Sequence, residues 1–127
     1  MDIRLRRANE EPSRDDGFRV LVDRLWPRGV RREDLELDEW LKDVAPSAEL
    51  RRWFQHDPEK WLEFKRRYVA ELASRPEAGN AFQELKQKGR QGRVTLVFGS
   101  REIRYNNAAA LKELLEDHAA VGQEGDR

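Results

Sequence analysis

Phe18-Arg19-Val20-Leu21-Val22 runs directly into Asp23-Arg24-Leu25-Trp26-Pro27-Arg28-Gly29, and the reading of this junction decides the fold. The first five residues are rich in β-branched types and almost continuously apolar. That is the pattern of a strand covered on both faces, as in a parallel sheet. Pro27 and Gly29 then end the extended run, since proline brings no N–H to a ladder and glycine favours a turn. A second segment of the same kind, Val94-Thr95-Leu96-Val97-Phe98, turns out through Gly99-Ser100-Arg101. Near the N-terminus, Ile3 and Leu5 alternate with Arg4 and Arg6, which predicts a short strand close to a sheet edge. Residues 8–17 lack apolar periodicity and end in glycine, as a loop does.

Between and after these strands the pattern is helical. Leu37, Trp40, Leu41 and Val44 fall at i, i+3, i+4 and i+7 and predict one amphipathic helix. Pro46-Ser47 interrupts it, and Ser47 is placed to cap a short helix carrying Leu50, Trp53 and Phe54. Asp57-Pro58 is a strong start signal for a helix reaching about Ala73, with Trp61, Leu62, Phe64, Tyr68, Val69 and Leu72 facing inward. Pro76 opens another helix ending around Gly89, and Asn106 or Asn107 can cap a last one through Ala110, Leu111, Leu114 and Leu115. Helices alternating with buried strands predict an α/β fold: a small single domain over 1–120, whose short, mainly parallel sheet pairs 18–22 with 94–98 and is flanked by helices. A polar tail is expected over 121–127. A helical bundle is the weaker alternative.

Composition narrows the function classes. The 127 residues suffice for one core. Charged residues make up 39%, but 25 basic and 25 acidic side chains cancel, and four Trp with five Phe supply core surface, so a folded chain is expected. A neutral total argues against indiscriminate nucleic-acid binding, which needs a basic excess to exchange counterions with phosphates. Cysteine is absent, which removes disulfides, thiolate nucleophiles and cysteine metal sites, and His56 and His118 are too far apart in sequence to suggest a zinc site. No metal or cofactor is expected. The N-terminus lacks the apolar stretch of a signal peptide and no segment is long and apolar enough to span a bilayer, so a cytoplasmic location without membrane contact is expected.

In parallel α/β sheets, ligands sit beyond the carboxyl ends of the strands, where loops and helix starts converge. Two such ends are visible. One offers Asp23, Arg24, Trp26, Pro27 and Arg28; the other offers Gly99, Ser100 and Arg101, followed by Asn106-Asn107. If the strands are neighbours, both groups line one crevice. Arg24, Arg28 and Arg101 could hold a phosphate or carboxylate through forked hydrogen bonds. A helix starting near Asn106 would add backbone N–H groups, Ser100 and Asn107 polar contacts, and Trp26 an aromatic wall. Asp23 could orient an arginine or act as an acid or base. The expected partner is therefore a small anionic ligand, phosphorylated or nucleotide-like.

Plainer readings stand beside these. Asp23 and Arg24 could simply pair within a loop, Trp26-Pro27 could plug the strand end, and the two asparagines could be caps. Trp40, Trp53, Trp61 and Phe64 sit at core spacing. Asp57 is explained as a cap, which leaves a role for His56 open. Ser100 lacks a nucleophile-elbow context, and no phosphate-binding glycine loop is present. A non-catalytic module for nucleic acid or a protein partner would need Arg31, Arg32, Arg51, Arg52, Lys65, Arg66 and Arg67 to form an exposed stripe, although Glu49, Glu63 and Glu71 lie among them.

Asp23 to Gly29, together with Asp38-Glu39-Trp40-Leu41-Lys42-Asp43, Ala45-Pro46-Ser47, Glu49-Leu50-Arg51, Trp53-Phe54, His56-Asp57-Pro58, Trp61, Phe64, Tyr68 and Asn106-Asn107-Ala108, resembles the YeaO-like branch of the domain-of-unknown-function family 488. The resemblance runs from about Ile3 to Leu115 and implies a compact bacterial or archaeal α/β domain. The family's other branch typically carries a cysteine at the second strand, an acidic residue just after it and Cys-His-Arg at the helix start. Here those places hold Phe98, Ser100 and Asn106-Asn107-Ala108, so thiol or histidine chemistry at that loop does not transfer. Glu102 and Tyr105 also stand where the YeaO-like branch commonly has Asp and His.

Overall fold

The structure, a computed structural model, describes residues 1–125, with side-chain surroundings as far as residue 117. The expected polar tail over 121–127 falls on residues whose side chains, and for 126 and 127 the backbone, lie outside that description. Four strands form one wholly parallel sheet among the described residues: β1 (Ile3–Arg7), β2 (Phe18–Leu21), β3 (Glu39–Trp40) and β4 (Val94–Phe98), in the order β1-β4-β2-β3. The predicted pairing of the two apolar segments is present, with Phe18 opposite Val94 and Leu21 opposite Val97. The segment at Ile3 is an edge strand, also as predicted.

Side chains alternate across a strand, so each central strand feeds two cores. Ile3, Val20, Val22, Val94, Leu96 and Phe98 join the larger one. It is covered by α2 (Ala48–Phe54), α3 (Trp61–Ser74), α4 (Pro76–Gln91) and α5 (Asn107–Gly125). Leu21, Val97 and Ala8 face the other way, towards Leu35 of the short α1 (Arg32–Leu35) and the rings of Trp26 and Trp40.

The second face also carries a buried polar cluster. Arg19 and Thr95 are register partners in β2 and β4 and are both buried. The Arg19 guanidinium donates to Asp16 Oδ2 at 2.6 Å and to the Leu35 carbonyl at 2.7 Å, and Thr95 Oγ1 donates to the Asp16 carbonyl at 2.7 Å. Asp16 belongs to a 3-10 turn, Arg14–Asp16, closed by a capping box with Ser13 within the loop expected over 8–17. Gly17 then enters β2 at φ 67°, where a Cβ would lie 2.4 Å from the Arg93 carbonyl oxygen. Only glycine meets both conditions.

The amphipathic helix expected over Leu37–Val44 is absent. Glu39–Trp40 is a strand instead, followed by a 3-10 turn at Lys42–Val44. The free edge of β2 explains the difference: a backbone left unpaired there would be costly, and this segment satisfies it. Asp38 N–H donates to the Arg19 carbonyl at 2.8 Å and Leu41 N–H to the Leu21 carbonyl at 2.9 Å. The four apolar side chains then divide, Leu37 and Trp40 on the smaller core, Leu41 and Val44 on the larger. In α3 the inward face is narrower than expected: Phe64, Tyr68 and Leu72 are buried, whereas Leu62 is 77% exposed and Val69 also faces outward. Ser47 caps α2 as predicted, accepting from Leu50 N–H at 3.0 Å.

At this sheet edge, the Glu39 carboxyl meets Glu84 of α4 in a side-chain hydrogen bond. That hydrogen bond, with burial and the neighbouring negative charge, pushes the Glu39 carboxyl up from 4.5 to about 7, against the pull of Lys88. An acid with a raised folded-state pKa favours folding while protonated, and this contribution is lost as pH rises from its unfolded value through its folded one. Glu39→Gln is therefore expected to raise the urea midpoint at about pH 8.5 and leave it nearly unchanged at about pH 4. Equal midpoints at both pH values would rule out a Glu39 carboxyl raised by this contact.

Candidate functional site

The chain leaves β2 through Val22 and Asp23, and β4 through Gly99 and Ser100, side by side at the carboxyl edge of the sheet. Their loops, the end of α2 and the start of α5 enclose a cleft of about 330 Å³. Asp23, Arg24, Trp26, Arg28, Ser100 and Asn107 all line it, so the two strand ends do form one crevice.

Asp23 fastens the two sides. Its Oδ2 accepts from Gly99 N–H at 2.8 Å, and its Oδ1 accepts from Asn107 Nδ2 at 3.2 Å. Its own carbonyl accepts from the Trp40 indole N–H at 2.8 Å. Burial pushes the Asp23 carboxyl above its ordinary value, although the Gly99 and Asn107 donors, the Arg51 charge and the nearby His56 ring draw it back down. With both oxygens engaged, this carboxylate is a brace between loops.

Trp26 serves two surfaces. Its indole N–H donates to the Val30 carbonyl at 2.7 Å, its ring meets Trp40 edge-on at 5.3 Å, and it also contributes to the cleft lining. The turn after it places Gly29 at φ 78° with Val30 N–H on the Pro27 carbonyl, a geometry that requires a positive φ at the third position.

Across the cleft, the loop 99–106 contributes Gly99 and Ser100 to the lining. Ser100 Oγ accepts from Glu102 N–H at 3.0 Å. The Glu102 carboxylate accepts from the N–H groups of Arg104 and Tyr105, which hold it below its ordinary pKa. Asn106 is wholly buried and spends its amide inside the loop, donating to the Glu102 carbonyl at 2.6 Å and accepting from Ala109 N–H at 2.7 Å as the cap of α5. Asn107 instead turns into the cleft. Arg101 is exposed and is not among the lining residues.

The structure adds members that the sequence pattern did not single out for this crevice. Arg51 and Phe54 of α2, His56 just after it, and Phe64 of α3 complete the lining. Arg51 is placed by helix geometry: it lies one turn before Phe54, beside Leu50, so it shares the buried face. That spacing is a signal available in the sequence. The Arg51 Nε is buried and has no hydrogen-bond partner. Among the described residues Arg24 and Arg28 form no ion pair, and both line the same cleft as Arg51, whose charge acts on Asp23.

Most residues of the expected basic stripe have acidic or aromatic partners or turn to the cleft. Arg66 and Arg67 pair with Glu63 at 2.6 and 2.9 Å, Lys65 with Glu113 at 3.1 Å, and Arg31 with Asp34 at 3.0 Å. Arg32 lies over the Trp26 ring, and Arg51 turns to the cleft. No helix among the described residues is long and apolar enough to cross a membrane.

The family profile described as "Inactive DUF488-N3 subclade" matches residues 2–127. "Uncharacterized protein Rv3073c" of Mycobacterium tuberculosis (strain ATCC 25618 / H37Rv) is 43% identical over 113 residues, covering 89% of this chain and 92% of that protein. "Uncharacterized protein YeaO" of Escherichia coli (strain K12) is 36% identical over 115 residues, covering 91% of this chain and 97% of its own length. No solved structure matches significantly. From the strand-end motif to the asparagine cap, the match spans the elements that build the cleft, and the chain belongs to the DUF488 family, in the subclade described as inactive DUF488-N3.

Proposed function

We propose that the cleft binds a small anionic ligand, phosphorylated or nucleotide-like, and that its work is binding without covalent chemistry. One observation carries this reading: the buried Arg51 Nε has no acceptor, in the cleft that Arg24 and Arg28 also line. A buried donor without a partner costs about 1–3 kcal/mol, so a site that keeps one is suited to an acceptor from outside. The start of α5 at Asn107 adds the positive end of a helix dipole. The volume lies at the small end of ordinary ligand sites, and Trp26 offers an aromatic surface. Two features favour binding over catalysis. Asp23 and Ser100 are both engaged in holding loops, and the matching subclade is described as inactive.

The test is a titration of inorganic phosphate and a mononucleotide in the millimolar range, followed by thermal shift and calorimetry. The unmutated protein is expected to be stabilised. Arg51→Met is expected to weaken binding about 10- to 100-fold, the weight of one charge-assisted hydrogen bond, while leaving the ligand-free melting temperature no lower. Absence of a shift with every anion, or an Arg51→Met protein that melts lower yet binds equally well, would reject the reading.

A further inference from the structure

We infer that His56 makes the cleft selective for dianionic phosphate monoesters, by taking up a proton from solvent as the ligand enters beside Arg51. This rests on the anion-binding reading above and specifies its ligand class.

His56 Nδ1 lies 2.7 Å from the Tyr105 carbonyl oxygen. A carbonyl can only accept, so Nδ1 carries a proton in either charge state of the ring. Nε2 is then the one variable atom: a lone pair when the ring is neutral, an N–H donor when it is charged. The ring is placed by an unusual backbone. Gln55 and His56 both have left-handed φ values, 47° and 57°. The first is the C-cap of α2, with its N–H on the Arg51 carbonyl. A second consecutive left-handed residue is not needed to end a helix. Here it sets the imidazole edge-on to Phe54, 5.8 Å between ring centres, in the cleft wall.

Charged groups from three elements surround the ring. Arg51 of α2 and Arg24 and Arg28 of the loop after β2 line the same cleft as the ring. Two carboxylates act on His56: Asp23 at the end of β2 and Glu102 in the loop 99–106. Each is already occupied, Asp23 by Gly99 and Asn107, Glu102 by the amides of Arg104 and Tyr105. Asp57, next in sequence, accepts from Glu59 N–H. An entering dianion favours the charged ring and turns Nε2 from a repelling lone pair into a donor. A diester, with a single negative charge, does so less. Binding and protonation are therefore linked, and the ligand that brings more charge gains more from the link.

The experiment is calorimetry of phenyl phosphate and dimethyl phosphate at about pH 8, where a monoester is already a dianion, in two buffers of different ionisation enthalpy. The unmutated protein is expected to take up protons with the monoester and to bind it more tightly than the diester. His56→Gln is expected to lose the uptake and most of the preference, binding the monoester about tenfold more weakly. The ring nitrogens, followed by NMR in the unmutated protein, are expected to show an Nδ1–H tautomer that becomes doubly protonated on binding. The chain has two histidines, and His56→Gln assigns the signals. Monoester binding without proton uptake, or uptake that persists in His56→Gln, overturns the inference and leaves the anion site standing. If neither ester binds the unmutated protein, the anion site and the inference fall together.

Discussion

Asp16→Ala is expected to lower stability by about 3–5 kcal/mol, a large share of the roughly 5–15 kcal/mol that holds a domain folded. The aspartate is 2% exposed and its partner Arg19 is 4% exposed. Asp16 accepts at once from Arg19 at 2.6 Å, from Arg6 at 3.1 Å and from Ser13 N–H at 3.0 Å. Alanine leaves a guanidinium buried against β4 without its counter-charge, and breaking a buried pair from one side is the costly way to lose it. The urea midpoint should fall with the slope unchanged. Asp16→Ala with Arg19→Met should recover part of the loss, because the orphaned charge goes too. A single variant no less stable than a surface substitution would show that the pair holds nothing together.

The same carboxylate makes the fold acid-sensitive. Burial alone would raise its pKa, but the Ser13 amide and the Arg19 and Arg6 charges outweigh it, and the net direction is down. A group lowered on folding contributes stability above its unfolded pKa and loses it as pH falls through the folded value. The stability that Asp16 contributes thus weakens only in acid, opposite in direction to the effect of Glu39.

Phe64→Ala is expected to cost a similar amount, about 3–5 kcal/mol, by emptying the centre of the larger core. Phe64 is fully buried, stacked on Phe54 at 4.0 Å and 14°, and flanked by Trp61 and Tyr68 at 5.9 Å. Its removal withdraws the support of Phe54 and, one turn earlier on α2, of Arg51. Phosphate binding should therefore weaken in parallel although no polar group is lost. Phe64→Leu, which keeps most of the volume, should cost less than about 1.5 kcal/mol. If Phe64→Ala unfolds as readily in urea as Phe64→Leu, the aromatic stack contributes little.

Both effects lie where side chains from distant parts of the chain meet. Arg19 could be read in the sequence as part of a buried strand, but not as one half of a buried ion pair, because its partner lies across a glycine turn. Leu37, Trp40, Leu41 and Val44 show how a correct apolar pattern can carry the wrong period. The spacing suits a helix, yet the unsatisfied edge of β2 takes the segment as a strand and splits its side chains between two cores.

The residues alone determined the two central strands, their parallel pairing and the crevice at their carboxyl ends. Continuous apolar runs and strand-ending turns are local, and the rule that places ligands beyond such strands is topological. The capping roles of Ser47 and Asp57 were legible for the same reason: each bonds an amide two or three residues away. Only the tertiary structure decided which residues share the crevice. It turned Asp23 into a brace between two loops, brought Arg51 and His56 to the wall, and left Arg101 outside. Those outcomes depend on how α2 is seated against α3 and on the path of the loop 99–106. Both are set by packing among residues far apart in the chain, which a local sequence pattern does not encode.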